Sequence, residues 1–281
     1  MSAITDTPPQ EQVHQFDLST GADLGVFATA GLNSPRGLAL DSAGNLYVLN
    51  STGGTGGANI EKFTPGGVGS IFAASTGLND PFLRNPSSLA FDSAGNLFVA
   101  DTGRNTIQKF TPDGVGSMFV TTGLNGPTAL AFDSTGNLYV ANFGSNAIEK
   151  FTPGGVGSIF ASTGLNGPNG LAFDSTGNLY VANTPDDAIE KFTPDGVGSL
   201  FATAGVRSPV GLACDSAGNL YVANNGDGMV EKFTPGGVGS LFASTQLRYI
   251  LAIAVREVPE PSAFALLALG ATTLMIARRR R

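Results

Sequence analysis

The sequence predicts an all-β fold of repeated four-stranded units, and three observations carry that expectation. Asp41-Ser42-Ala43-Gly44-Asn45-Leu46-Tyr47-Val48 returns almost unchanged from Asp92, Asp133, Asp174 and Asp215, a step of 51 residues once and 41 thereafter. Lys62-Phe63-Thr64-Pro65-Gly66-Gly67-Val68-Gly69-Ser70 returns in the same phase from Lys109, Lys150, Lys191 and Lys232. No stretch of the repeats offers ten residues of helical periodicity free of Gly or Pro, which excludes helical solenoids of similar period. Four short strands in a period of about 40 residues are the pattern of a β-propeller.

Within one unit Gly170-Leu171-Ala172-Phe173 reads as the first strand and Leu179-Tyr180-Val181-Ala182 as the second. Ala188-Ile189-Glu190-Lys191-Phe192 follows as the third and Ser199-Leu200-Phe201-Ala202 as the fourth. Asp-Ser-Thr-Gly-Asn and Thr-Pro-Asp-Gly between them hold the residues that hairpin turns need. The longer first step comes from two expanded loops, residues 51–58 and 79–85. At the flanks, Val13-His14-Gln15-Phe16 and Leu24-Gly25-Val26-Phe27-Ala28 read as a third and a fourth strand, and Tyr249-Ile250-Leu251-Ala252-Ile253-Ala254-Val255 as a first. Joined in space they form a composite sixth blade, with its second strand missing or very short, that closes the ring and removes an exposed sheet edge. The expected architecture is a six-bladed propeller over residues 11–256, with a disordered segment 1–10 before it and a separate tail, 257–281, after it.

Composition narrows the function. The chain has 281 residues and a net charge of −7, and its last four residues are arginines, so the rest carries −11. An acidic body with its positive charge at one end does not suit nucleic acid. A single Cys permits no internal disulfide and a single His no His-rich metal site. Cys214 stands where sister units have Phe91, Phe132 and Phe173, and reads as a small core residue rather than a nucleophile. The repeated Asp of Asp-Ser-x-Gly-Asn reads as a turn cap, since one active site needs unlike residues converging. Glu149 and Lys150 with their counterparts read as scaffold, on opposite faces of a strand. The glycine runs lack the spacing and the Lys-Ser/Thr ending of a phosphate loop, and neither opens a helix. No catalytic residue, cofactor or tightly held metal is expected, and no loop alone has EF-hand-like spacing for calcium.

The pattern Pro-x-Gly-Leu-Ala-Phe-Asp-Ser-x-Gly-Asn-Leu-Tyr-Val-Ala-Asn, followed by Ile-Glu-Lys-Phe, resembles the NHL repeat over roughly residues 35–243. The absence of Trp disfavours the WD type. Enzymes of the gluconolactonase and lyase types share related repeats. The first would need unlike Glu, Asn and Asp metal ligands in the channel, and the second a His, for which only His14 exists.

Val258-Pro259-Glu260-Pro261 opens the tail, an apolar run follows from Ser262 to Ala277, and Arg278-Arg279-Arg280-Arg281 ends it. Sixteen residues rise about 24 Å as a helix, extendable by flanking residues towards a bilayer core of about 30 Å. The order resembles a PEP-CTERM sorting signal. That resemblance implies a transient inner-membrane anchor through a short transmembrane helix within residues 262–277, with the arginines inside. It also implies cleavage by an exosortase and final residence in the cell envelope or outside the cell. Met1 to Gln10 has neither a basic nor an apolar stretch, so the secretion signal that export requires is expected upstream of this Met1.

Binding residues are expected where the units differ. In a propeller the loops after the second strand share one rim, and here they diverge: Asp101-Thr102-Gly103-Arg104-Asn105, Asn142-Phe143-Gly144-Ser145-Asn146, Asn183-Thr184-Pro185-Asp186-Asp187 and Asn224-Asn225-Gly226-Asp227-Gly228. Variable loops on a rigid scaffold are where ligands are held. Asp101, Arg104, Phe143, Asp186, Asp187 and Asp227 are the candidates, for a protein or polysaccharide ligand. The expectation is a noncatalytic envelope-displayed binding propeller; the alternatives are a propeller enzyme and a structural surface protein without a specific ligand.

Overall fold

The computed structural model describes residues 11–51, 58–74, 83, 85–244, 250–256 and 273–278. Two strands open it, β1 (Gln12–Asp17) and β2 (Asp23–Ala28). The first blade is β3 (Pro35–Leu40), β4 (Leu46–Asn50), β5 (Asn59–Phe63) and β6 (Gly69–Ala74). The second is β7 (Pro86–Phe91), β8 (Leu97–Asp101), β9 (Thr106–Phe110) and β10 (Gly116–Val120). The third is β11 (Pro127–Phe132), β12 (Leu138–Asn142), β13 (Ala147–Phe151) and β14 (Gly157–Ala161). The fourth is β15 (Pro168–Phe173), β16 (Leu179–Asn183), β17 (Ala188–Phe192) and β18 (Gly198–Ala202). The fifth is β19 (Pro209–Cys214), β20 (Leu220–Asn224), β21 (Met229–Phe233) and β22 (Gly239–Ser244), and β23 (Ile250–Arg256) and β24 (Thr273–Arg278) end the chain.

Within each blade the strands pair antiparallel in sequence order. The second strands are buried at every position, which is why they read as unbroken apolar runs rather than as alternation. Every turn between first and second strands is tied by its Asp, as expected. Asp174 Oδ1 accepts the Thr176 and Asn178 N–H groups at 2.9 Å each, and its Oδ2 accepts Asn178 Nδ2 at 2.8 Å. The Lys of the third strand stays in its own blade: Lys150 Nζ lies 3.7 Å from Asp133 Oδ2 and 5.1 Å from the Tyr139 ring centre. These are half-buried contacts at the blade surface, worth about 1 kcal/mol or less each.

Blades are joined by aromatic rings. Tyr139 meets Phe160 of its own blade and Phe173 of the next, edge to face at 4.9 Å from each. Phe98 does the same with Phe119 and Phe132, and Tyr47 with Phe72 and Phe91. Edge-to-face pairs add about 0.5–1.5 kcal/mol to the area they bury. Cys214 breaks this series. It takes the phenylalanine place beside the cluster of Tyr180, Leu212 and Leu220, and burial, helped by Asp174 and Asp215, pushes its thiol up to about 12. The folded protein is therefore expected to resist thiol reagents at pH 8 and to react only when unfolded. Rapid native labelling would show the thiol to be accessible instead.

The expected architecture is corrected on two points. The repeats build five blades of continuous chain, not six. The sheet between the fifth and the first is an antiparallel composite of both chain ends, of order β2-β1-β24-β23, with β23 packed on both β19 and β3. The second correction concerns the transmembrane helix. Among the described residues no helix is long and apolar enough to cross a membrane, and Thr273–Arg278, whose first five residues belong to the segment assigned to that helix, is a strand. A short run of β-branched and apolar residues fits either state, and here the gap between β1 and β23 supplies strand partners on both sides. The expected disordered segment 1–10, the Val258-Pro259-Glu260-Pro261 motif and Arg279 to Arg281 lie outside the described residues; Arg278 ends β24.

Candidate functional site

The first strand of each blade starts where the second ends, as Pro168 opposite Asn183 shows. The variable loops therefore surround the end of the central channel at which the first strands begin. A cavity of about 260 Å³ lies there, lined by the second residue of each first strand: Arg36, Ser87, Thr128, Asn169 and Val210, with Leu251 from β23. Asn225, from the last variable loop, also reaches it. The sequence carried this signal as the x of Pro-x-Gly, which changes from unit to unit while its neighbours hardly do. The binding candidates chosen from the sequence did not include these residues, because they sit inside strands rather than loops.

One buried side chain anchors each variable loop. Asn50, Asp101, Asn142, Asn183 and Asn224 close the second strands and are buried. Asn183 Oδ1 accepts the Asn166 N–H at 3.3 Å, and its Nδ2 donates to the Gly164 carbonyl at 2.8 Å. Asn224 binds the Arg207 N–H and the Gly205 carbonyl at 3.0 and 2.7 Å. Asp101 is thus a buried clamp, accepting the Asn85 and Gly103 N–H groups at 3.3 and 3.0 Å, rather than an exposed rim group. At the far end of the loops Asn105, Asn146 and Asp187 take left-handed backbone conformations, with φ of 56°, 51° and 50°. Their side chains accept N–H groups of the next blade: Gly126 at 2.6 Å, Gly167 at 2.8 Å and Ser208 at 2.6 Å. Asp187 is exposed, yet it also works as a strut between blades.

The remaining candidates sit on the rim surface or partly so. Phe143 is 43% exposed, and its ring lies close to Gly167, where an added Cβ would come within 2.9 Å of it. Asp186 accepts Asn166 Nδ2 at 2.7 Å. Asp227 accepts the Met229 N–H at 3.1 Å and faces Arg207 Nε at 3.7 Å. Arg104 is partly buried on the second blade's loop. The structure thus gathers Asp186, Asp187 and Asp227 on two adjacent blades, while Phe143 and Arg104 belong to the preceding two. His14 lies apart on β1, bonded to Asp23 through Nδ1 at 3.1 Å and to Gln12 through Nε2 at 3.1 Å. Among the described residues no group of three His, Cys, Asp or Glu side chains is placed to hold a metal ion.

Charge on the third strands gives a pH signature. Burial holds the carboxyls of Glu61, Glu149, Glu190 and Glu231 above the ordinary 4.5, and Asp186 and Asp227 add to this at Glu190 and Glu231. At Asp133 and Asp174 burial acts upwards, but hydrogen bonds from the turn Asn and Thr outweigh it and hold both below 3.8. A raised carboxyl penalises the folded state at neutral pH, and the penalty lifts as pH falls towards 4.5. A lowered one stabilises above 3.8, and that contribution is lost as pH falls further. The melting temperature is expected to rise as the pH falls from neutral towards 4.5 and to drop once it passes below 3.8. A thermal titration with no gain by the time the pH reaches 4.5 would contradict the glutamate assignment.

Residues 83–110 match the NHL repeat family and residues 257–281 the PEP-CTERM protein-sorting motif. No curated protein sequence matches the chain. Solved structures share the fold. A chain of the nidogen/laminin complex superposes with a TM-score of 0.69 at 20% identity, covering 84% of this chain and 94% of that one. The gluconolactonase XC5397 of Xanthomonas campestris gives 0.67 at 19%, covering 98% and 96%. Virginiamycin B lyase of Staphylococcus aureus gives 0.63 at 16%, covering 87% and 78%.

Proposed function

We propose that this chain, an NHL-repeat propeller ending in a PEP-CTERM sorting motif, is a noncatalytic binding module of the cell envelope or exterior that holds a protein or polysaccharide on its variable rim. The motif implies export, membrane-associated sorting at the carboxyl terminus and recognition by an exosortase. The observation that carries the binding reading is the contrast between the two ends of the ring. Asp-capped turns repeat one geometry at one end, whereas the loops at the other differ in sequence while buried Asn and Asp clamps hold their bases. Such a surface varies its contacts without disturbing its scaffold. Asp186, Asp187 and Asp227 favour a basic protein segment or a sugar bridged by a cation over an anionic ligand.

Replacing the loops of the second, fourth and fifth blades by the Asn142-to-Asn146 version tests this. The swapped protein is expected to keep its melting temperature within a few degrees and to lose at least about tenfold in affinity for any glycan or protein found by array screening of the parent. Binding that survives the swap refutes the rim assignment. Lactone hydrolysis or lyase turnover by the purified protein, abolished by one channel substitution such as Arg36→Ala or Asn169→Ala, would refute the noncatalytic part.

A further inference from the structure

The third strands leave three carboxylates without a use in the fold. Glu149, Glu190 and Glu231 stand in mid-strand, half-buried against the last glycine loop of the preceding blade. Among the described residues no hydrogen bond or ion pair reaches them. Burial acts on all three, and beyond it only Asp186 on Glu190 and Asp227 on Glu231. The cations nearby are spent elsewhere. Lys232 turns to the other face of its strand, with Nζ 5.1 Å from the Tyr221 ring centre, and Arg207 faces Asp227 at 3.7 Å. Glu61, the first-blade counterpart, differs: it is 7% exposed and accepts Asn59 Nδ2 at 3.3 Å.

Glu231 opens onto a cleft of about 550 Å³ between the outer strands β18 and β22. Phe201 and Phe233, edge to face at 6.0 Å, line it, and Leu200 and Leu241 are its exposed walls. Gly205 also lines it, and the Asn224 clamp holds the Gly205 carbonyl at 2.7 Å, so the cleft reaches the variable rim. An apolar cleft with one unpaired carboxylate is the complement of a long aliphatic stem with a cationic end. A metal ion would find a single carboxylate here, too few oxygens for calcium. We propose that this cleft anchors a lysine side chain of a basic protein segment lying across the variable rim, its stem against Leu200 and Leu241 and its ammonium on Glu231. The proposal rests on the rim reading for its choice of a protein ligand, and it gives that ligand an anchor that the rim loops do not supply.

Fluorescence anisotropy at low ionic strength, with a labelled lysine pentapeptide and its Nε-acetylated form, tests it. The parent protein should bind the first and not the second. Glu231→Gln should weaken binding at least about fivefold, and Leu200→Ser combined with Leu241→Ser at least about threefold. Gln108 already holds the equivalent place in the second blade, opposite Met118 as Glu231 is opposite Leu241, so Glu231→Gln should melt as the parent does. Asp195→Asn is the control. It removes the same charge from an exposed turn at the opposite rim and should change affinity by less than about twofold. Equal weakening by Asp195→Asn and Glu231→Gln, as a merely acidic surface would give, overturns the proposal. So does absence of peptide binding, or undiminished binding with both leucines replaced. The loop-swapped protein separates the two readings. Peptide binding lost on the swap but kept by Glu231→Gln overturns the cleft and leaves the rim. Binding kept on the swap but lost by Glu231→Gln refutes the rim and leaves the lysine anchor.

Discussion

Phe151→Ala is expected to destabilise the protein by about 3–5 kcal/mol. Phe151 is 2% exposed and ends the third strand of its blade, where it joins Leu138 and Val140 to Phe98, Ala100 and Ile107 of the blade before. Its loss opens a void at a blade interface, and neighbouring side chains cannot move in without parting the two sheets. The ring is so closely fitted that a Cβ on Gly157 would stand 2.6 Å from Phe151 Cε1, so Gly157→Ala should also destabilise, by displacing the same ring. Ile159→Ala is the control: Ile159 is 67% exposed on the outer strand and should change stability by less than about 0.5 kcal/mol. Urea denaturation followed by circular dichroism measures all three. A Phe151→Ala cost below about 1 kcal/mol would remove the interface from the account of stability.

Asn183→Ala is the second large effect, about 2–4 kcal/mol, and its origin is polar. The substitution orphans the Asn166 N–H and the Gly164 carbonyl together, in a place where the native side chain is 1% exposed. Asn183→Asp should cost clearly less, since it keeps the acceptor and Asp101 already stands at the equivalent place in the second blade. If Ala and Asp prove equally harmful, the accepted N–H is not what the clamp supplies.

The repeat made the strands and turns legible, because burial on both faces turns Leu-Tyr-Val-Ala into an unbroken apolar run and a capped turn needs Asp at its first position. Asp174 and its four counterparts do what the sequence implies. The composite sheet was less legible. β1, β2 and β23 followed from their likeness to repeat strands, but β24 lies in a run whose flanks, a Pro-Glu-Pro motif and four arginines, point to a membrane. Nothing local in Thr273–Arg278 says that two strand edges await it; that information belongs to the ring as a whole. On the rim, divergence marked the right loops, but it did not separate exposed Asp186 from clamped Asp101. Both are acidic and both vary between units, and only burial distinguishes them. Arg36, Ser87, Thr128 and Asn169 were visible as variation within a constant frame, yet their convergence on one cavity depends on circular order, which no single unit encodes.

The composite sheet also sets a timetable. A chain leaves the ribosome from its amino end, so among the described strands β1 and β2 emerge before the five blades, and their partners β23 and β24 after them. Each of the five blades completes itself from neighbouring sequence as it appears, whereas the opening hairpin waits for almost the whole chain. Until then the growing arc has two unmatched ends and a series of nearly interchangeable interfaces between. The interfaces therefore contain no instruction to stop after five units. The only place where the ring checks its own length is the join between its oldest and youngest strands, and a unit gained or lost by recombination between repeats would be noticed there and nowhere earlier.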